Sequence, residues 1–324
     1  MNRCGSLDGQ EWTPQRQIDY NRSVLDRNQD AEDRRSANSI AFAILFFLAA
    51  NRTVLPALAA PEKISFSPRP GLRLTYHLAG NVSAKGGNFA GQDLSLDALA
   101  SGDIEFLIRQ TTPERVLAAL ASPGIQVDVQ TPSGPSHFVL KTRRGVFLQT
   151  VFDHRGNLEE AKNIEALNTP RVMNFSIVQI LRDYFPVLPG RPVSTGGTWD
   201  DHKRIVIPFQ GMDLVIFLHS RSTLLEVQMT GTGKVAKISA EYSVELGGSK
   251  PLGTATGSFR GKGMGSGILN FQVEEGYFSD YRLDYKIDAA FVIADQHKKL
   301  LELPFSLSVF ASILLTEKSS QPNQ

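Results

Sequence analysis

Asp200-Asp201-His202 is the densest run of metal-ligating side-chain types in the sequence. Such ligands hold zinc only if they converge on one point, as they do from an H-x-H or H-E-x-x-H spacing. Consecutive residues of a strand point to opposite faces, so the simpler reading is a solvated turn entering a strand. The 6 histidines are scattered without either spacing. Gly231-Thr232-Gly233-Lys234-Val235-Ala236 spells the dinucleotide pattern G-x-G-x-x-A, which works by setting a helix N-terminus against a pyrophosphate. The residues after it alternate like a strand, so these glycines mark a hairpin turn. Gly261, Gly263, Gly265 and Gly267 lack the G-K-[ST] ending of a phosphate cradle, and Ser266 lacks the G-x-S-x-G spacing of a nucleophile elbow. The whole stretch from Gly257 to Gly267 reads as a flexible or bulged hairpin region. Glu159-Glu160 and Glu274-Glu275 read as solvent-facing acids beside turns. No Ser-His-Asp arrangement stands out, because a triad is assembled in space rather than along the chain. The expectation is therefore no metal, no cofactor and no catalytic constellation, hence no enzyme.

The elements that would position any site are strands. Ala236, Ile238, Ala240, Tyr242, Val244 and Leu246 alternate with polar residues. Tyr281, Leu283, Tyr285, Ile287, Ala289, Phe291 and Ile293 do the same against Arg282, Asp284, Lys286 and Asp288, and a third run extends from Leu301 to Leu315. Period two puts each apolar set on one face of a strand, whereas a helix would scatter it around its circumference. Shorter runs recur at 72–78, 104–108, 125–129, 146–152, 205–207, 214–218 and 269–273, giving ten to twelve strands. Gly86-Gly87, Ser133-Gly134-Pro135, Asp153 to Asn157 and Gly247-Gly248 are the expected turns. One helix is expected, from a Thr169 cap and Pro170 through Met173, Ile177, Ile180, Leu181 and Tyr184, with Pro186 ending it. Thr112-Pro113-Glu114 opens either a second short helix or a strand. The run from Tyr281 to Ile293 would extend about 43 Å. Strands this long accumulate twist and curl. The fold class is mainly β: long antiparallel strands in a curved sheet or half-barrel, with one covering helix.

Composition narrows the partners. With 34 basic and 33 acidic side chains there is no electrostatic reason for a nucleic-acid partner. Residues 1–39 are polar and aperiodic and read as a disordered or untranslated extension. Arg34-Arg35 precede an apolar run from Ile40 to Ala50 that rises only about 16 Å as a helix, too short to span a bilayer. Ala57-Leu58-Ala59 then supplies a small-x-small cleavage pattern, so 40–59 reads as a signal peptide. The competing reading is a short buried helix. Residues 60–324 form one β domain that is exported to the periplasm or secreted. Its only cysteine is upstream, at Cys4, without the context of a lipoprotein signal.

Phe185-Pro186-Val187-Leu188-Pro189, then Val193, then Gly196-Gly197-Thr198-Trp199, resembles a pattern in exported bacterial proteins of uncharacterised domain families. There an apolar-Pro-x-x-x-Val segment precedes Gly-x-Thr-Trp and long strands. The turn from Phe152 to Leu158 and the run from Gly267 to Gly276 are similar to other hairpins of those families. The resemblance implies an exported β fold akin to half-barrels that carry lipoproteins or lipids between bacterial membranes. It transfers no catalytic residue, and the missing lipobox departs from tethered members.

The leading expectation is therefore a protein that holds a lipid or other apolar small molecule in the concavity of a half-barrel. Tyr281, Leu283, Tyr285, Ile287, Phe291 and Trp199 are the candidates to face that ligand or to form the core. The alternative is an envelope component that binds another envelope protein through its sheet edges. Less favoured is an outer-membrane β-barrel, since no aromatic girdles are visible and the chain does not end on an aromatic strand.

Overall fold

The computed structural model describes residues 60–320 apart from 90–91, 164–166, 169–177, 179–180, 183–184, 210–211 and 296–297. The expected extension over 1–39, the expected signal peptide over 40–59 and most of the expected helix therefore lie outside the described residues. Within 169–184, Val178, Leu181 and Arg182 have helical backbone, and no helix is completed among the described residues.

Strands account for almost all of the rest. In chain order they are β1 (Glu62–Lys63), β2 (Leu72–Phe89), β3 (Gln92–Thr111), β4 (Arg115–Thr131), β5 (Gly134–Thr142), β6 (Leu148–Asp153), β7 (Leu158–Lys162) and β8 (Leu167–Asn168). There follow β9 (Pro192–Val193), β10 (Thr198–Phe209), β11 (Met212–Thr230), β12 (Gly233–Leu252), β13 (Ala255–Gln272), β14 (Tyr277–Ala294) and β15 (Lys299–Ser320). The three long alternating runs fall inside β12, β14 and β15, and Thr112-Pro113-Glu114 opens strand β4 rather than a helix. A turn precedes that strand, in which the Thr112 hydroxyl accepts the Arg115 amide at 3.2 Å.

Among the described residues β1 pairs with β9, and the other strands form one 13-stranded antiparallel sheet in the order β10-β11-β12-β13-β14-β15-β2-β3-β4-β5-β8. β6 joins beside β5 on β4, and β7 pairs β6. From β10 to β15 and from β2 to β5, neighbours in sequence are neighbours in space, the up-and-down order that short hairpins dictate. The exception is informative. The first long strand and the last meet in mid-sheet, with Leu78 opposite Ile313 and Val82 opposite Val309. The ends of that order are β10 and β8, and the open seam falls between them. Among the described residues the sheet is not closed.

Curvature follows from burial. A single sheet with one apolar face and no second layer can bury that face only by wrapping around it. Ile216 of β11, Leu283 of β14, Leu78 of β2 and Ile125 of β4 belong to one continuous core.

Two glycine expectations are corrected. Gly247-Gly248 is not a turn but lies inside β12, facing Arg260 and Phe259 of β13. Gly257 to Gly267 is not a flexible hairpin region but the middle of β13, with Gly263 opposite both Val244 and Ile287. These glycines alternate with Ser258, Arg260, Lys262, Met264 and Ser266, so they occupy every inward position of the strand's middle except Phe259. Turn propensity was the wrong reading, because inward glycines serve close approach of neighbouring backbone. A Cβ on Gly265 would lie 2.7 Å from Tyr285 Cα, and one on Gly261 would lie 2.9 Å from Asp288 O. Gly86 likewise lies within β2, close to a register shift between Lys85 and Asn88. The expected turns at Gly231-Thr232 and from Asp153 to Asn157 are present; in the latter the Asp153 carboxylate accepts the amides of Arg155 and Asn157 at 2.9 and 2.8 Å.

Candidate functional site

Register assigns the two faces of the sheet without ambiguity. Tyr281, Leu283, Tyr285 and Ile287 of β14 are 4, 2, 2 and 0% exposed. Arg282, Asp284, Lys286 and Asp288 between them are exposed. The division continues strand by strand, with Lys237, Glu241 and Glu245 outward on β12 and Ile238, Tyr242 and Val244 inward. The inner face is apolar, and the outer face mixes charged side chains with exposed apolar ones such as Phe217 and Met264.

One end of the inner face is plugged. Phe185, from the Pro-rich segment, sits with ring centroids 5.9 Å from Phe106, 6.0 Å from Phe152 and 4.8 Å from Phe278. Such clusters add dispersion and quadrupole attraction to the area they bury. The segment is tied down by side chains at the start of β10 and in the β6–β7 turn. Trp199 Nε1 donates to Val187 O at 2.9 Å, and Lys203 Nζ donates to Phe185 O at 2.6 Å. Arg155 Nε donates to Leu188 O at 3.1 Å, while the Leu188 amide donates to Arg155 O at 2.8 Å. The Arg155 guanidinium also reaches Asp201 at 3.4 Å. These contacts explain why Phe-Pro-x-Leu-Pro and Gly-Gly-Thr-Trp occur together: the first is the plug and the second its clamp.

Above the plug, polar groups are few. The hydroxyls of Tyr242 and Tyr281 meet at 2.8 Å across β13, beside a cavity of about 20 Å³ also lined by Pro186, Ser220, Ser222 and Gly267. That volume holds about one water. Burial pushes the Tyr242 hydroxyl up to about 12, partly opposed by its hydrogen bond to Tyr281. Burial likewise pushes Tyr281 well above its ordinary value, so both phenols are neutral hydrogen-bonding groups.

Toward the hairpin tips the inner face opens. Val82, Ala84, Leu96, Phe259, Phe291 and Leu307 are half-buried where Leu74, Tyr76 and Ile104 at the plugged end are fully buried. Phe259 stands 4.8 Å from Phe291 and 5.9 Å from Phe305, an aromatic group at the open end. Of the residues singled out in sequence, Tyr281, Leu283, Tyr285 and Ile287 line the middle of the inner face, Phe291 its open end, and Trp199 the clamp. Phe259 and Tyr242 complete the same face. Phe259 was hidden by its glycine neighbours, whereas Tyr242 was visible in the alternation of β12.

Asp200-Asp201-His202 lies inside β10 rather than in a turn, and its members do diverge. Asp201 turns in to Arg155, while His202 turns out to stack on His219 at 4.3 Å. Among the described residues no group of three or more His, Cys, Asp or Glu side chains is placed to hold a metal ion. Glu160 is exposed, but Glu275 pairs with Lys318 at 2.9 Å and Arg69 at 3.3 Å.

No protein-family model and no curated protein matches the chain. Among solved structures, an outer membrane channel from Pseudomonas putida F1 is 8% identical, covering 77% of this chain and 98% of its own, with a TM-score of 0.21. Pseudomonas aeruginosa OccK2 in complex with glucuronate is 6% identical over 76% of this chain and 98% of its own, with a TM-score of 0.22. The outer membrane protein opdK from the same organism is 8% identical over 76% and 99%, with a TM-score of 0.18. At these TM-scores the likenesses carry no functional argument.

Proposed function

We propose that this is a bacterial envelope protein whose half-barrel holds an apolar ligand, such as a lipid acyl chain, on its inner face. The supporting observation is the gradient along that face, fully buried against the Phe185 plug and only partly buried at Phe259, Phe291 and Leu307. An acyl chain lying between the hairpin tips would meet Phe259, Phe291 and Leu307, with the two neutral phenols buried beneath, a pattern of few polar groups on an apolar face. The chain is exported in this reading, because such a ligand is carried between membranes. The test is titration of purified residues 60–324 with a fluorescent fatty acid. Saturable binding is expected, and Phe291→Asp, which puts a carboxylate in the opening, should abolish it. Absence of saturable binding, together with no co-purified lipid in native mass spectrometry, refutes the reading.

A second reading is an outer-membrane barrel. It is favoured by up-and-down strands of 18 to 22 residues in β12 to β15, longer than the roughly ten that crossing needs. Face polarity ranks it second. Lys237, Lys262, Arg282 and Lys286 would face lipid, at about 2–4 kcal/mol each near the midplane. Fractionation separates the two, since a barrel stays with the membrane pellet after carbonate extraction and the carrier does not.

A further inference from the structure

The outer face bears a constellation that the inner-face reading leaves unused. Across β2 and β3, His77 stands directly opposite Asp103, and Ser101 stands opposite Ala79, two pairs further along and on the same face. Its imidazole Nδ1 lies 2.8 Å from Asp103 Oδ1, and its Nε2 lies 3.1 Å from Ser101 Oγ. A carboxylate on one ring nitrogen and a serine hydroxyl on the other is the hydrogen-bond order of a nucleophilic triad. The Asp103 end is fixed by its strand, whose carbonyl accepts the Ser122 hydroxyl at 2.8 Å. His77 and Asp103 are 40 and 45% exposed at their side chains, so a substrate can reach them.

What surrounds Ser101 also fits a substrate. Asn81 stands opposite Leu99 and Phe310, Ala79 opposite Ser312, and His77 opposite Leu314. The methyl of Ala79 is thus the floor of a shallow patch. Its rim includes Leu99, Phe310 and Leu314, which are 50, 43 and 50% exposed. Exposed large apolar side chains around a polar centre are an invitation to an amphiphile. Asn81, diagonal to Ser101, and Ser312, across Ala79, are the polar side chains that border this patch. The chain supplies its own contrast. His137 Nδ1 lies 2.7 Å from Asp128 Oδ1 in the same cross-strand arrangement, and among the described residues no serine bonds its other nitrogen.

We propose that Ser101 is an acyl-accepting nucleophile, with His77 as its base and Asp103 as the positioning residue, acting on carboxylic esters with a short apolar acyl group. Ser101 Oγ attacks the ester carbonyl while its proton passes to His77 Nε2. Collapse breaks the bond to the alkoxy group, which leaves as the alcohol after taking the proton from His77. Water then repeats the sequence on the acyl-serine, releasing the carboxylic acid and restoring the hydroxyl. Asp103 accepts from Nδ1 throughout and takes no proton.

The experiment is labelling of the purified protein with a fluorophosphonate, mapping of the modified residue by peptide mass spectrometry, and hydrolysis of p-nitrophenyl butyrate. Labelling at Ser101 is expected, with loss of label and turnover in Ser101→Ala. A fall of at least about 100-fold is expected in His77→Ala. Asp103→Asn should lower kcat with little change in KM, and His137→Ala should leave turnover as it was. Labelling of the folded wild-type protein needs no variant to fold. Absence of label at Ser101, or turnover by Ser101→Ala at the wild-type rate, overturns the assignment.

Discussion

Gly263→Ala tests the account of how the sheet wraps. Gly263 points inward on β13 between Val244 and Ile287. An added methyl would run into the Lys286 carbonyl oxygen and lie 2.8 Å from Ile287 Cα. Both obstacles are backbone, so no side-chain rotation relieves them, and the two strands must move apart. Overpacking of this kind costs about 1–3 kcal/mol, and contact with backbone places this site at the upper end. The lower unfolded-state entropy of alanine returns about 0.4–1 kcal/mol. The net loss is then about 2 kcal/mol, or roughly 4–8 °C in Tm for a domain of this size. Gly247→Ala is the control. It faces outward on β12 opposite Arg260, and a methyl there meets nothing within 4 Å. Its Tm should stay level or rise slightly. Thermal unfolding followed by far-UV circular dichroism reads both. Equal shifts for the two variants, or a Gly263→Ala protein as stable as wild type, would falsify the claim that inward glycines set the curvature.

Alkaline unfolding should report the buried phenols. Burial raises Tyr242 from 10.0 to about 12, so the neutral form is favoured in the fold. Its contribution, roughly 2–3 kcal/mol, is complete below about pH 10 and is lost as pH climbs through about 12. Urea midpoints measured across that window should fall steeply in wild type and less so in Tyr242→Phe; parallel curves would count against burial as the cause. Tyr281→Phe removes the 2.8 Å bond to Tyr242, with an expected loss of about 1 kcal/mol by urea denaturation. Phe185→Ala empties the plug between Phe106, Phe152 and Phe278 and should cost about 3–5 kcal/mol. Trp199→Phe keeps an aromatic ring but removes the bond to Val187 O and part of the buried indole's packing, so a loss of at least about 1 kcal/mol is expected from the same assay.

Strands were legible where alternation was clean. Polar residues between Tyr281 and Ile293 declare one face of β14 and leave no helical stripe to compete with it. The middle of β13 was illegible for a physical reason. Glycine has no side chain to alternate, so a strand whose inward positions are mostly glycine looks like a turn. The cue lay in its outward residues: Ser258, Arg260, Lys262, Met264 and Ser266 keep period two among the glycines. The clamp was half legible. Trp199 stood out by type, but its partner Val187 O is a backbone atom, which sequence does not mark. His77, Ser101 and Asp103 were illegible altogether. They are brought together only by the pairing of β2 with β3, and that register follows from which face each strand buries.

The same alternation keeps the two surfaces chemically separate. Tyr76 and Leu78 turn inward on β2 while His77 between them turns outward, and Ile104 turns inward beside Asp103 on β3. A substitution on one face therefore need not disturb its neighbours on the other, because successive side chains share only a backbone whose hydrogen bonds remain in place. His77→Ala should end ester hydrolysis and leave fatty-acid binding at its wild-type affinity. Phe291→Asp, at the opening, should do the reverse. If each variant instead removed both properties in proportion, hydrolysis and binding would have to draw on one site, and the division of labour between the faces would fail. Loss of one with retention of the other is the outcome that period two demands.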